Sequence, residues 1–156
     1  MVSSMTGFGR GRAAQDGREM TVELKSVNHR YLDLSFRMPR HISFAEDTLR
    51  TALNDSLSRG HVDVYVNYRN TRSDAKEVRI DTALLGAYLK SVKAAAAELR
   101  EENDMTLSNA LRLPDVTDIV EADEDDEAVK ALTKEAVDKA IAELITARRG
   151  EGERLA

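Results

Sequence analysis

The sequence predicts an α+β fold, a small and mainly antiparallel sheet with packed helices, followed by a long amphipathic C-terminal helix. Three observations carry this expectation. Apolar residues alternate with polar ones in several runs before Asn70, helical spacing dominates after Asp81, and one apolar stripe runs from Val129 to Ile145. Strands that come first and helices that come later are the order of an α+β chain.

Each element has its own signal. Met20, Val22 and Leu24 alternate with Thr21, Glu23 and Lys25, the period of a strand buried on one face. After the polar corner Asn28-His29-Arg30 the alternation resumes with Leu32, Leu34, Phe36 and Met38, and Pro39 ends it because proline cannot donate to a ladder. A loop through His41 follows. Ser43 and Glu46 have the spacing of a capping box, and Leu49, Ala52, Leu53 and Leu57 recur at helical spacing, which predicts a helix over 44–59 stopped by Gly60. Val62, Val64, Val66 and Tyr68 predict a third strand, and Val78 and Ile80 a short fourth. Asp81 is a good N-cap for a helix that carries Leu84, Leu85, Tyr88, Leu89 and Val92 and ends near Asn103. Residues 106–113 suit one or two turns. The final stripe, Val129, Leu132, Ala136, Val137, Ala140, Ile141, Leu144 and Ile145, predicts a helix from about residue 126 with no stop before Gly150. The expected organisation is an N-terminal α+β domain over 1–113, an acidic linker over 114–127, and over 128–156 an amphipathic helix that starts a further region.

Composition excludes several classes of function. With 42% apolar and 33% charged residues, and no run of eighteen apolar residues, nothing in the sequence reads as a membrane span. The opening Met1-Val2-Ser3-Ser4-Met5 lacks a basic leader and an apolar core, so the expected location is cytoplasmic. Zero cysteines exclude disulfides, thiolate zinc sites and a cysteine nucleophile, leaving His, Asp, Glu or a hydroxyl for any chemistry. The net charge of -5 is unevenly spread: residues 1–72 hold 11 Lys and Arg against 8 Asp and Glu, whereas 114–127 hold 8 acids and no base. Ten of those 11 bases are arginine, which suits bidentate contact with phosphate as well as ordinary surface charge.

All three histidines lie between Asn28 and His61, together with Arg30, Arg37, Arg40 and Arg59. Imidazoles beside guanidiniums make a phosphate-binding site with a group for proton transfer if these corners meet in space. A tight turn at Asn28-His29-Arg30, with His41 and His61 at helix ends, explains the same residues without function. Tyr31, Arg37, Tyr65 and Arg69 share the polar sides of strands and form either an aromatic, basic surface for unpaired bases or a solvated or covered face. Asp115, Asp118, Glu121 and Asp123 to Glu127 match no EF-hand spacing, so they read as a metal-holding cluster or as a solvated helix start. Met5-Thr6-Gly7-Phe8-Gly9-Arg10-Gly11 lacks the ending of a P-loop, and its alternate glycines suit close backbone approach in a first strand. The terminal apolar stripe exceeds what so small a domain is expected to cover, which points to an oligomer contact or a partner helix.

Three phrases together resemble one family: Ser4-Met5-Thr6-Gly7-Phe8-Gly9-Arg10, Glu23-Leu24-Lys25-Ser26-Val27-Asn28-His29-Arg30-Tyr31-Leu32-Asp33, and Arg59-Gly60-His61-Val62-Asp63-Val64. Their order and spacing are similar to the opening of YicC-like proteins, a bacterial family associated with endoribonuclease activity. Members are about twice this length, and the carboxy-terminal domain that completes the pattern is absent. The resemblance implies a nuclease, a hydrolase of RNA phosphodiester bonds assisted by a divalent cation, manganese or magnesium, that forms a homo-oligomer, possibly a hexamer, around RNA. Matched residues Asn28, His29, Arg30 and Arg59, with Arg10, Arg37 and Arg40, become the expected RNA contacts, and His29 the first candidate for catalytic proton transfer. A non-catalytic RNA-binding or stress-related assembly or adaptor module is the alternative.

Overall fold

A computed structural model describes residues 6–155, with side chains described for 6–148. The chain forms two compact units, Met1–Ser73 with Asp123–Ala156, and Asp74–Ala122.

The first unit is built on a four-stranded sheet. Strands β1 (Gly7–Gln15) and β2 (Arg18–Val27) form a hairpin whose turn, Asp16-Gly17, has positive φ at both residues, the geometry that matches strand twist. Strand β3 (Leu32–Arg37) leaves the sheet through a 3-10 segment (Arg40–Ala45) and helix α1 (Glu46–Ser56) before the chain returns as β4 (Gly60–Asn70). The sheet order is β1-β2-β4-β3. β4 pairs antiparallel with β2 and parallel with β3, the pairing that a helical crossover permits.

Alternation along the strands decides the two faces. Met20, Val22 and Leu24 of β2 and Val62 and Val64 of β4 are fully buried, facing Leu49 and Leu53 of α1 and Val129, Val137 and Leu144 of the final helix α4 (Asp126–Leu155). Each such side chain contributes roughly 1.5–3 kcal/mol on removal from water. The helix α4 lies across β1 and β2, and α1 packs against α4 and β3. Glycines in β1 allow this approach: a Cβ on Gly11 would stand 1.9 Å from the Ala136 carbonyl oxygen, and one on Gly9 2.1 Å from that of Ala140. The expected role of the alternate glycines is thus realised as a groove for a helix backbone.

The second unit is smaller. Strands β5 (Lys76–Ile80) and β6 (Thr117–Glu121) form a two-stranded antiparallel ribbon. Helix α2 (Thr82–Leu99) starts at Asp81, whose Oδ1 accepts from the Leu84 amide at 3.0 Å, as expected of an N-cap. The short helix α3 (Leu107–Ala110) supplies Ala110 to a small core with Leu85 and Val116.

Five local expectations need correction. The Ser43–Glu46 capping box does not form, because the backbone is already wound as 3-10 helix through Ala45 and no side chain caps α1. Helix α1 ends at Ser56, four residues short of Gly60; Leu57 turns extended to bury its side chain, and Gly60 with φ +117° opens β4 instead. The acidic stretch contains β6, and α2 stops at Leu99 with Arg100 in the left-handed region rather than near Asn103. Finally, the stripe from Val129 to Leu144 is covered within this chain, by the sheet and α1, so it needs no outside partner.

Candidate functional site

The chain corner between β2 and β3 and the start of β4 meet at one end of the sheet. The Gly60 amide donates to the Tyr31 carbonyl at 3.1 Å, which ties Arg59-Gly60-His61 beside Asn28-His29-Arg30-Tyr31. The Nδ1 atom of His29 lies 3.1 Å from the Tyr31 carbonyl oxygen and 3.3 Å from its amide nitrogen, so it donates or accepts according to tautomer and the ring is held either way. Its Nε2 has no partner among the described residues. The His29 and His61 rings stand 6.3 Å apart.

His61 is clamped by two carboxylates. Its Nδ1 is 2.8 Å from Asp33 Oδ2 and its Nε2 3.1 Å from Asp63 Oδ1. Hydrogen bonding to Asp33, then to Asp63, raises its pKa, because both bonds favour the imidazolium in which both nitrogens donate. Asn28, Arg30 and Arg59 are exposed around this pair, with the Arg30 guanidinium 6.0 Å from the Tyr31 ring centre. Beneath them, on the covered face, Arg148 of α4 donates to the Ser26 hydroxyl, and burial lowers its pKa.

The open face of the sheet continues from this rim. Strand register sets His61 beside Val27 and Asp33, then Asp63 beside Lys25 and Ser35, then a row Arg10, Glu23, Tyr65 and Arg37 across all four strands. Arg10, Thr21, Glu23, Arg37, Tyr65 and Asn67 line a concavity of about 330 Å³ there. Arg10 pairs with Glu23 at 3.5 Å and Arg12 with Glu19 at 2.7 Å, while the Lys25 ammonium lies 5.7 Å from the Tyr65 ring centre.

His41 and Arg40 do not join the rim. The His41 ring stands 5.9 Å from that of Tyr68, which is seven residues along β4 from His61, roughly 23 Å at strand rise. At that far end Glu124, whose side chain is only 3% exposed, accepts from Tyr68 Oη at 2.9 Å and from Asn70 Nδ2, with Arg18 Nε at 3.7 Å and His41 Nε2 at 3.8 Å. Burial, then the bond to Glu124, raises the Tyr68 pKa. The expected constellation therefore divides: Asn28, His29, Arg30, Arg59 and His61 gather, Arg10 and Arg37 lie on the adjoining open face, and Arg40 and His41 lie elsewhere. Sequence reasoning missed Glu124, which nothing in its acidic run distinguishes from its neighbours.

The acidic stretch does not assemble a metal centre. Asp118 and Glu121 are exposed on β6 and Glu124 is committed to its buried cluster. Among the described residues no group of three or more His, Asp or Glu is arranged to hold a metal ion, and His61 has both nitrogens occupied. No helix of the described residues is long and apolar enough to cross a membrane.

Comparison with known proteins decides the relationship. Residues 2–156 match the family described as "Endoribonuclease YicC-like, N-terminal region". The chain belongs to the YicC-like family. It is similar to the protein named "Probable endoribonuclease YicC" of Clostridioides difficile (strain 630), at 33% identity over 156 residues, all of this chain and 53% of that protein. A protein of the same name from Haemophilus influenzae (strain ATCC 51907 / DSM 11121 / KW20 / Rd) is 31% identical over 155 residues, 99% of this chain and 53% of that one. The chain thus spans about half the length of these YicC-like relatives.

Proposed function

We propose that this chain is the RNA-contacting half of a cytoplasmic endoribonuclease, with phosphodiester cleavage requiring the sequence that makes up the rest of its relatives. The observation that carries this reading is the meeting of His29 and His61, rings 6.3 Å apart, at a sheet end flanked by exposed Arg30 and Arg59. Guanidiniums there neutralise and orient a phosphodiester, and the outward Nε2 of His29 is the group for proton transfer. Arg10 and Arg37 extend the cationic path over the open face. Asn28 adds an amide that serves sugar or phosphate oxygens. Arg40, by contrast, contributes at most a remote backbone contact.

The described residues form no site that fits a divalent cation, so a manganese or magnesium ion is assigned to ligands outside them, and no step here is routed through one. That arrangement favours binding without cleavage by this chain alone, with a homo-oligomer of the longer protein completing the site. The test is a structured RNA incubated with this chain and with a full-length relative, with manganese or EDTA. Binding that weakens steeply between about 50 and 200 mM salt is expected of both. Arg30→Gln combined with Arg59→Gln is expected to reduce that salt slope by about 2, one per lost phosphate contact. In the full-length protein the substitution at the position of His29 is expected to slow cleavage while leaving the melting temperature unchanged. Unaltered binding by the double arginine variant removes the rim from the site.

A further inference from the structure

We infer that the open face of the sheet is a platform for unpaired RNA bases, centred on Tyr65, and that the chain therefore discriminates single strands from duplexes. This rests on the RNA reading above and goes beyond it, since a cationic rim by itself accepts any phosphate backbone.

The charge on this face is more selective than its composition. Its four carboxylates are all engaged: Glu23 by Arg10, Glu19 by Arg12, and Asp33 and Asp63 by the two nitrogens of His61. Among the described residues Lys25 and Arg37 have no carboxylate within ion-pair distance, so uncompensated positive charge lies on either side of Tyr65. Glu19 and Glu23 are thus each offset by a guanidinium, whereas the single imidazolium of His61 offsets one of the two charges of Asp33 and Asp63 at the rim end of the face.

The aromatic placement matches stacking. Tyr65 is half-buried in the concavity of about 330 Å³, at the small end for a ligand site, with Asn67 of the same strand to meet a base edge and Arg37 directly beside it. Phe8 is 40% exposed on the same face, one row nearer the rim and two strands away. Strand spacing and rise separate the two rings by about 12 Å. A flexible Lys25 now covers Tyr65, and a base that takes its place leaves the ammonium free for phosphate. Duplex RNA keeps its base faces inside the helix and offers only backbone and groove edges, so this surface gains stacking only from unpaired nucleotides.

The test is fluorescence anisotropy with this chain, an unstructured 12-nucleotide RNA and a duplex of equal length. The single strand is expected to bind at least ten-fold tighter. Tyr65→Ala is expected to weaken it about ten-fold and Tyr65→Phe less than about two-fold, with duplex binding unchanged in both. Tyr65→Leu preserves the packing of a half-buried position without the ring, so a loss with Leu matching that with Ala separates stacking from folding. Arg37→Gln is expected to lower the salt slope by about 1. Equal affinity for both RNAs, or full affinity in Tyr65→Leu, overturns the platform while leaving the rim reading intact. Failure to bind either RNA overturns both.

Discussion

Both faces of the four-stranded sheet carry a histidine beside carboxylate, and the two settings do different work. On the covered face His41 approaches Glu124 and Tyr68, in a cluster whose central carboxylate is 3% exposed and hydrogen-bonded to Tyr68 and Asn70 of β4. On the open face His61 is held between Asp33 and Asp63, reached by solvent and 6.3 Å from a second imidazole. Burial separates these roles where residue type does not. A buried carboxylate with every oxygen engaged holds elements together, whereas an exposed clamp leaves its neighbours available to a ligand.

Substitutions sharpen this contrast, and the largest effects belong to the covered face. Glu124→Ala leaves the Tyr68 hydroxyl and the Asn70 amide without their acceptor and the Arg18 guanidinium without its counter-charge, and is expected to cost roughly 3–5 kcal/mol, read by urea denaturation. Gly11→Ala drives a methyl group into the Ala136 carbonyl and lifts α4, an expected loss of roughly 3 kcal/mol. A Gly11→Ala protein with unchanged denaturation would contradict the close helix approach.

The open face is expected to respond to pH and to ligand more than to denaturant. The His61 pKa is raised in the folded chain, so the stability it contributes is fully present below its unfolded value near 6.5 and is lost as pH rises through the higher folded value. An NMR titration of the His61 ring with a midpoint above 6.5 is expected, and His61→Gln is expected to flatten the decline of melting temperature above that pH. A midpoint at or below 6.5 would disprove the double clamp. The smallest effect is Glu23→Gln, which removes one exposed partner of Arg10 and is expected to alter stability by less than about 1 kcal/mol, while freeing Arg10 to tighten RNA binding about two-fold.

The readable parts of this fold were those with one wet face and one dry face. Met20-Val22-Leu24 and Val62-Val64-Val66 alternate because helices cover one side of the sheet, and Asp81 reads as a cap because its oxygen has a fixed local task. The strand β6 was illegible for the same reason: Ile119 is 65% exposed and no residue of the strand is fully buried, so no dry side imposes a pattern. Sequence proximity brought His41 to the other histidines, but the 3-10 segment after Pro39 carries it to the far end of β4. Glu124 looked like one solvated acid among eight, because only the partners Arg18, Tyr68 and Asn70, distant in sequence, mark it as buried. The rim residues were legible as types, and their meeting depended on the Tyr31–Gly60 bond between segments thirty residues apart.

The glycine groove of β1 also imposes a timetable on the nascent chain. The first strand leaves the ribosome early, yet the backbone that fills Gly9 and Gly11 comes from Ala136 and Ala140, more than a hundred residues later. Until that helix is made, the hairpin keeps a bare, side-chain-poor stripe toward water, and closing so long a loop is slow. A stalled or shortened translation product therefore exposes a sticky half-sheet, and completion of the last helix is the event that seals it.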